Sequence, residues 1–241
     1  MTPASMRWGA RREIQRKYLT GGDVHPEIAA RIRAAGARPV LDAGCGDGEL
    51  SLALGGWPVI SLDRDPLALL EAPRPAVRAD IVRLPFRDGV FGAVAALYVL
   101  YFFERPVEVL TDIRRVLRPG GLFASATTSR DDMPELIPLL EPELIESYDA
   151  ENGPAQVEEV FGNVEVDRWD LPALLFESPD GVREYLGARN QRLARDPAEL
   201  AYPLTVRKLG AMIYARRWTS RCCQRAPQAG GVPRLGRRGI L

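Results

Sequence analysis

The sequence predicts an α/β fold in which helices cover both faces of a doubly wound, mostly parallel sheet. Short apolar runs, typical of buried strands, alternate with helical segments from residue 39 to residue 127. The links between them are short, as expected of right-handed crossovers between parallel strands. The first strand also ends in a turn with glycine at every second position, which is typical of the sheet edge where ligands bind.

The first half of the chain accounts for most of this sheet. Strands are predicted at 39–42, 58–62, 76–79, 91–97 and 121–127. Helices are predicted at 48–54, 66–71 and 106–117. The Pro-Gly-Gly at 119–121 is expected to end the last of these helices and to turn the chain into the fifth strand.

Beyond residue 128 the pattern is less regular. Residues 133–148 are predicted to be helical, although Pro134, Pro138 and Pro142 interrupt them. Further elements are a strand at 163–169, a helix at 179–193 and a last strand at 209–215. We expect the two helices to cover the substrate side of the sheet.

Length and composition indicate an ordinary globular protein. The chain has 241 residues, of which 46% are hydrophobic and 27% charged. It lacks an apolar run near the roughly 20 residues that a membrane span requires, and the Arg-rich residues 1–20 lack the apolar core of a secretion signal. We therefore expect a cytoplasmic protein. Three cysteines and one histidine argue against a disulfide framework and against a metal site.

The net charge of zero conceals an uneven distribution. Residues 216–241 contain seven arginines and no acidic residue, which leaves 25 basic and 32 acidic residues elsewhere, a net charge of −7. An acidic body offers no evident phosphate-binding surface, so a nucleic-acid substrate is not expected. The Gly, Pro and Arg content of residues 218–241 predicts a disordered basic tail.

The glycine-rich turn at 42–48 is the most informative stretch. Gly44, Gly46 and Gly48 have no Cβ, so the backbone can adopt positive φ and approach a ligand closely. The dinucleotide pattern G-x-G-x-x-G needs its third glycine where this chain has Glu49, which disfavours a nicotinamide oxidoreductase. About twenty residues later Asp63 ends the second predicted strand, where an acid commonly accepts hydrogen bonds from ribose hydroxyls.

Four segments resemble class I S-adenosylmethionine-dependent methyltransferases: residues 40–48, 59–63, 77–96 and 113–124. The third is similar to the family's acid after strand three, Leu-Pro-Phe and apolar strand four, and the fourth to its Arg-Pro-Gly-Gly element before strand five. The type 11 subgroup, grouped with ubiquinone and menaquinone biosynthesis enzymes, is the most similar. The resemblance implies a Rossmann-like sheet of seven strands with an antiparallel last strand, and S-adenosylmethionine as the methyl donor without a metal.

The resemblance also implies which residues contact this cofactor. The three glycines would pack under its methionine and ribose, Asp42 would orient the loop or reach the ammonium, and Asp63 would hold the ribose diol. Asp80 would accept from the adenine amino group beside Ile81, and Leu97 and Tyr98 would face the methyl group. Leu97 departs from the Asn or His of many relatives, which removes one polar contact. The implied set is Asp42, Gly44, Cys45, Gly46, Gly48, Asp63, Arg64, Asp80, Ile81, Leu97 and Tyr98.

The same resemblance divides the chain into three parts. Residues 36–217 would form the methyltransferase domain, and residues 218–241 the basic tail. Residues 1–35 are predicted to be helical, with a break at 20–22, and to form a lid over the cofactor; simple packing against the sheet edge is the alternative.

The catalytic residues stay open. A base is needed only if the acceptor must lose a proton, and Tyr98, Tyr101, His25, Asp131 and Asp132 are candidates. Packing would equally explain the two tyrosines, and helix capping would explain His25 and the two aspartates. An aromatic mouth without basic groups favours a neutral small molecule as acceptor.

Small-molecule methylation is the function that the sequence favours, whether on oxygen, nitrogen or carbon. An RNA methyltransferase that uses the Arg-rich tail is one alternative. A protein that binds S-adenosylmethionine without turning it over is another, because Leu97 replaces a polar residue. The sequence leaves the oligomeric state open.

Overall fold

The structure, a computed structural model, describes residues 8–141 and 147–218, without the side chains of residues 8–11. The predicted tail at 218–241 therefore lies outside the described residues, except for Trp218. The helices are α1 (Trp8–Tyr18), α2 (His25–Ala34), α3 (Glu49–Leu54), α4 (Ala68–Glu71), α5 (Pro106–Val116), α6 (Gly153–Phe161) and α7 (Pro179–Ala188). The strands are β1 (Val40–Ala43), β2 (Val59–Asp63), β3 (Ala76–Arg78), β4 (Phe91–Leu97), β5 (Leu117–Thr128), β6 (Glu165–Phe176) and β7 (Leu204–Arg216).

The seven strands form one sheet in the order β3-β2-β1-β4-β5-β7-β6. Strands β1 to β5 pair in parallel, and β7 runs antiparallel to both of its neighbours. The predicted seven-stranded, mostly parallel sheet with an antiparallel last strand is confirmed. In such a sheet the carboxyl ends of the parallel strands share one edge, and ligands bind there.

Side-chain alternation along the central strands builds a core on each face of the sheet. Leu41 and Val94 face α5 and α6, whereas Val40 and Ala95 face α2 and α3. All seven residues of β4 are buried, as expected of a parallel strand covered on both sides. The buried positions of α5 follow a helical stripe: Pro106, Val109, Leu110, Ile113 and Val116.

The second half of the chain differs from the sequence prediction. Over the described part of 133–148, only a 3-10 turn at Ile137–Leu139 forms, because the prolines remove the backbone donors that a longer helix needs. Instead α6 forms at Gly153–Phe161, with a proline in its first turn and Gly162 at its end in the left-handed region, φ 74°. The predicted helix at 179–193 ends at Ala188.

The last two strands are longer than predicted. Strand β6 covers 165–176 rather than 163–169, and β7 covers 204–216 rather than 209–215. The added residues of β6 and β7 pair with each other beyond the end of β5. They contribute to a third apolar cluster, separate from the cores on the two faces of the sheet. This cluster joins Tyr18 of α1 to Phe176 and Tyr185, with the Tyr18 and Phe176 ring centroids 4.9 Å apart.

The two N-terminal helices have different surroundings. Ile28 and Ile32 of α2 are fully buried in the core on one face of the sheet. Helix α1 instead packs against α7 and β6, and Thr20 after it donates a backbone hydrogen bond to Ala173 at 2.7 Å. A lid formed by residues 1–35 stays a prediction, and α1 is the part that its position suits.

Truncation of Phe123 should test the core between the sheet and α6. Its ring is fully buried and stacks on Phe161 with centroids 5.2 Å apart, so Phe123→Ala should lower the free energy of unfolding by about 3–5 kcal/mol. Leu70→Ala, at a side chain that is 74% exposed, should change it by less than about 0.5 kcal/mol. Urea unfolding measures both, and similar losses would contradict the assigned packing.

Candidate active site

The glycine-rich loop leaves β1 at the carboxyl edge and is tied to β2. The amides of Gly44 and Cys45 both donate to the Leu62 carbonyl, at 2.8 and 2.9 Å. Gly44 and Gly48 have φ of 74° and 86°, and a Cβ on Gly44 would lie 2.5 Å from a methyl carbon of Val99. Glycine is therefore required here both by conformation and by space.

Asp63 holds this loop from the neighbouring strand. Its Oδ2 accepts a hydrogen bond from the Gly46 amide at 2.9 Å, and its Oδ1 accepts one from the Asp65 amide, also at 2.9 Å. The structure thus brings together the predicted ribose-binding acid and the predicted cofactor loop. Arg64, the next residue, is exposed, and its carbonyl accepts from Arg78 Nε at 3.3 Å.

Asp42 lies beneath the loop in the protein interior. Its Oδ2 accepts from Ser51 Oγ at 3.1 Å, and that hydroxyl is 2.9 Å from Ser61 Oγ. Burial raises the pKa of Asp42 to about 6, although the Ser51 hydrogen bond acts in the opposite direction. This contact fits the predicted role in orienting the loop, since it connects β1 to α3 and β2.

Cys45 has no features of a nucleophile. Its thiol donates to the Gly46 carbonyl at 3.3 Å. Burial, followed by the charges of Asp42 and Asp63, raises the pKa of Cys45, so the thiol stays protonated at neutral pH. The residue fills a position in the turn that needs a small side chain.

The residues predicted to contact adenine follow β3, next to Asp63. The Asp80 side chain is exposed and caps a 3-10 turn by accepting from the Val82 amide at 3.0 Å. Ile81 is buried in the core, 4% exposed, so Val82, at 42%, presents more apolar surface at this position. The Ala79 amide donates to the Asp63 carbonyl at 3.1 Å, which fixes the two acids on neighbouring strand ends.

Leu97 and Tyr98 end β4 at the same edge. Tyr98 has a φ of 53°, unusual for a non-glycine residue, and its amide donates to the Ala126 carbonyl at 2.8 Å. Burial raises the pKa of Tyr98, and the charge of Asp132 adds to this effect. The phenol therefore stays protonated, which argues against Tyr98 as a base.

His25 begins α2 but does not cap it. The N-cap residue is Val24, which has no side-chain cap, and Asp23 Oδ1 accepts from the His25 amide at 3.0 Å and lies 2.6 Å from His25 Nδ1. Burial lowers the pKa of His25, but the Asp23 hydrogen bond and the Glu49 charge outweigh it, so the net shift is upward. The imidazole ring centroid lies 6.5 Å from that of Tyr98.

Helix α1 contacts the glycine loop through arginines that the sequence analysis did not identify. Arg12 lies 3.2 Å from the Asp47 carboxylate, and Arg16 lies 2.7 Å from Glu49. The NH1 nitrogen of Arg12 is buried and makes no hydrogen bond among the described residues. It is nevertheless the nitrogen that lies 3.2 Å from Asp47 Oδ2, so the ion pair compensates its charge and ties α1 to the loop.

A second charged group lies at the same edge, beyond Tyr98. Asp132 follows β5 and accepts a hydrogen bond from Lys208 Nζ of β7, and Arg189 NH2 lies 3.9 Å from the same carboxylate. Asp132 Oδ1 also accepts from the Leu209 amide at 2.9 Å. Asp132 was expected to cap a following helix or to act as a base, but no such helix forms and the carboxylate is ion-paired. Asp131, its neighbour, is exposed.

This group contradicts the expectation of an aromatic mouth without basic residues. Arg189 lowers the pKa of Tyr98 while Asp132 raises it, so both charges lie within electrostatic reach of the phenol. Lys208 and Arg189 were missed because they come from β7 and from the end of α7, far from the glycine motif in sequence. Nothing in the sequence pattern distinguishes them from exposed basic residues.

Residues 8–141 and 147–218 contain neither a metal-binding cluster nor a membrane-spanning helix. No three His, Cys, Asp or Glu side chains there are grouped closely enough to hold a metal ion. No helix in the same residues is both long and apolar enough to cross a membrane.

Residues 41–125 match the family model described as a methyltransferase domain. This region contains the glycine loop, Asp63, Asp80 and strands β1 to β5, except for Val40 of β1 and residues 126–128 of β5. This segment is similar to a methyltransferase domain. The predicted resemblance is confirmed for this region.

Named relatives agree with this assignment. The chain is 38% identical over 97 residues to an uncharacterized methyltransferase, YodH, of Bacillus subtilis, covering 36% of this chain and 41% of that protein. It is 29% identical over 184 residues to a ubiquinone biosynthesis O-methyltransferase of Xanthomonas oryzae, covering 68% and 76%. The chain spans about half the length, 41–46%, of four curated relatives that it matches.

A solved structure supports the fold. The YcgJ protein from Bacillus subtilis aligns with a TM-score of 0.57 and 18% identity, over 81% of this chain and 99% of that one. At this level of identity the likeness concerns only the arrangement of the strands and helices.

Substitution of Gly44 should destabilise the protein by more than the cost of the positive φ alone, because a side chain there would also clash with Val99. Gly36→Ala is a matched control, because Gly36 also has positive φ, 59°, but a Cβ there would meet nothing within 4 Å. We expect Gly36→Ala to cost about 1–2 kcal/mol of stability, and Gly44→Ala to cost clearly more because of Val99. Equal losses in urea unfolding would show that the loop has room for a side chain.

The buried Asp42 should make stability depend on pH. Its pKa is about 6 in the folded protein against 3.8 ordinarily, so the folded state retains a proton that the unfolded chain releases, and stability falls as the pH rises from about 4 to 6. Asp42→Asn should remove this fall. The stability difference between variant and wild type should therefore grow by about 2–3 kcal/mol across that range and stay constant above it. A difference in urea-unfolding free energies that does not change with pH would contradict the assignment.

Proposed function

We propose that this chain is an S-adenosylmethionine-dependent methyltransferase that acts on a small molecule. The observation that carries the proposal is the hydrogen bond from the Gly46 amide to Asp63, within a segment that matches the methyltransferase domain. Through this bond Asp63, the acid proposed to bind the ribose, contacts the glycine-rich loop. The glycines of that loop have no side chains, so a ligand can come close to its backbone.

The residues at this edge fit the chemical groups of S-adenosylmethionine one by one. Arg12, whose NH1 lies 3.2 Å from Asp47 and whose guanidinium has further donors, suits the carboxylate of the methionine part. Asp63 suits the ribose diol, and Asp80 with Ile81 and Val82 suits the adenine. Asp42 contributes through the loop that it orients.

The methyl group of the cofactor is already activated by its sulfonium, so the protein's part is positioning and exclusion of water. The protein achieves both at the end of β4. Leu97 is 9% exposed and presents an apolar surface, while Tyr98 is fixed in a strained backbone conformation by its hydrogen bond to Ala126. Leu97 and Tyr98 are the residues that would face the methyl group.

Helix α1 is the part of residues 1–35 that would close the site. Its ion pairs to Asp47 and Glu49 anchor it to the loop and to α3, and Tyr18 anchors its end to the third apolar cluster. Arg12, which belongs to this helix, would then contact the cofactor from the lid side. The closure would exclude water from the reacting atoms.

The choice of a small molecule rests on two points. A curated relative that covers most of this chain is a ubiquinone biosynthesis O-methyltransferase. Two of the seven C-terminal arginines are also engaged by the protein itself: Arg216 NH1 donates to the Gly120 carbonyl at 3.1 Å, and Arg217 NH1 donates to the Arg115 carbonyl at 2.7 Å. These hydrogen bonds give both arginines a role in holding the protein's own backbone.

Binding of the demethylated product, S-adenosylhomocysteine, tests the cofactor assignment. By calorimetry, Asp63→Asn should bind it about tenfold or more weakly than wild type, because a hydrogen bond to a charged group contributes about 1.5–3 kcal/mol. Asp65→Asn is the matched control: Asp65 accepts from the Leu67 amide through Oδ1 on the same turn and should leave affinity unchanged.

Two further measurements complete this test. NAD should not bind, and circular dichroism should confirm that both variants are folded. The proposal would be contradicted if the folded wild-type protein bound neither S-adenosylmethionine nor its product. Turnover of radiolabelled S-adenosylmethionine on bulk RNA in preference to small hydroxylated compounds would instead overturn the acceptor class.

A further inference from the structure

The charged group beyond Tyr98 is a built arrangement, separate from the glycine loop. We call Asp132, Arg189 and Lys208 the charged triad. Lys208 donates to Asp132 Oδ2, Arg189 lies 3.9 Å from the same oxygen, and the Leu209 amide occupies Oδ1. The carboxylate thus has both oxygens engaged, while the two cations retain donors beyond this contact.

The triad holds one positive charge in excess. Asp132 is the one carboxylate within 4 Å of either Arg189 or Lys208 among the described residues. The side chains are largely removed from solvent, with exposures of 8% for Asp132, 14% for Lys208 and 25% for Arg189. Burial of an uncompensated charge is costly, so the arrangement suits a further anion.

Titration behaviour agrees with this charge balance. Burial, and after it the positive charge of Arg189, lower the pKa of Lys208 to about 8, although Asp132 acts in the opposite direction. At neutral pH Lys208 is still mostly protonated, so the excess charge is present under ordinary conditions. An added anion would raise this pKa again.

Tyrosine side chains lie near the Arg189 end of the triad. The guanidinium of Arg189 lies 5.8 Å from the centre of the Tyr185 ring, and Tyr101 acts on its pKa as well. Tyr98 lies within electrostatic reach of Asp132 and Arg189. An acceptor whose anionic group binds at the triad would therefore have the rest of its structure near these tyrosines and near the proposed methyl position.

We propose that Arg189 and Lys208 bind a carboxylate on the methyl acceptor, so that the enzyme selects acidic aromatic molecules over neutral ones. The inference rests on the proposed methyltransferase function and names its substrate class. One excess charge matches a carboxylate better than a phosphate dianion, and the planar fork of an arginine matches a carboxylate's two oxygens.

The test uses protein saturated with S-adenosylhomocysteine and a matched pair of probes, 4-hydroxybenzoate and its neutral isostere 4-hydroxybenzamide. Calorimetry should show that the acid binds about tenfold or more tightly than the amide to wild type. Arg189→Gln and Lys208→Met should each bring this ratio close to one. Arg183→Gln is the control on the same helix, because Arg183 is paired outside the triad with Asp180 and Asp196 and should leave the ratio unchanged.

A further variant separates binding from a purely structural role of the triad. Asp132→Asn retains an acceptor for the Leu209 amide and, at about pH 6 where Lys208 keeps its proton, adds one positive charge, so it should tighten binding of the acid and leave that of the amide unchanged. A structural triad would instead weaken both. Equal binding of acid and amide to wild type, binding of neither, or tighter binding of inorganic phosphate than of the acid would overturn the inference. Failure to bind S-adenosylhomocysteine at the outset would overturn the proposed function instead.

Discussion

The hydrogen bond between Asp63 and the Gly46 amide connects the ends of two neighbouring parallel strands, and the arrangement of the site depends on it. Without that carboxylate, the turn after β1 would be held by the backbone hydrogen bonds to Leu62 alone. The second oxygen of Asp63 fixes the following turn through the Asp65 amide. A single acid thereby sets the spacing between the loop and the end of β2, and it leaves lone pairs for a ligand at the same place.

Charge differs between the two sides of the carboxyl edge. Around the glycine loop, Asp42 and Asp47 are buried, and burial raises the pKa of both. A cofactor that carries a sulfonium and an ammonium would relieve this excess of acid, whereas the excess cation of the charged triad suits an acceptor of opposite sign. Tyr98 lies between the two sides. Under the proposed function, the site would hold a positive donor and a negative acceptor side by side, a pairing that Coulomb attraction strengthens where water is excluded.

The sequence predicted the first five strands closely because each contains a short apolar run that ends at a turn or an acid, and β1 and β4 are buried along their whole length. It also predicted that Asp63 and the glycine loop share a ligand, since strand ends of a parallel sheet meet at one edge. The region after residue 128 was harder. The proline that begins α6 was not distinguishable from prolines that break a helix, and the helix predicted at 133–148 was wrong over the described residues 133–141, 147 and 148. The charged triad could not be predicted, because Asp132 and Lys208 are 76 residues apart and meet only through the antiparallel pairing of β5 and β7.

The central claim is that the loop held by Asp63 is where S-adenosylmethionine binds. Its most direct test is a titration of ¹⁵N-labelled protein with S-adenosylhomocysteine, followed through the amide resonances of Gly44 and Gly46. Our account predicts that both resonances move together with saturation and that NAD moves neither. Saturable binding that leaves both glycine amides unchanged, or a response to NAD alone, would contradict it.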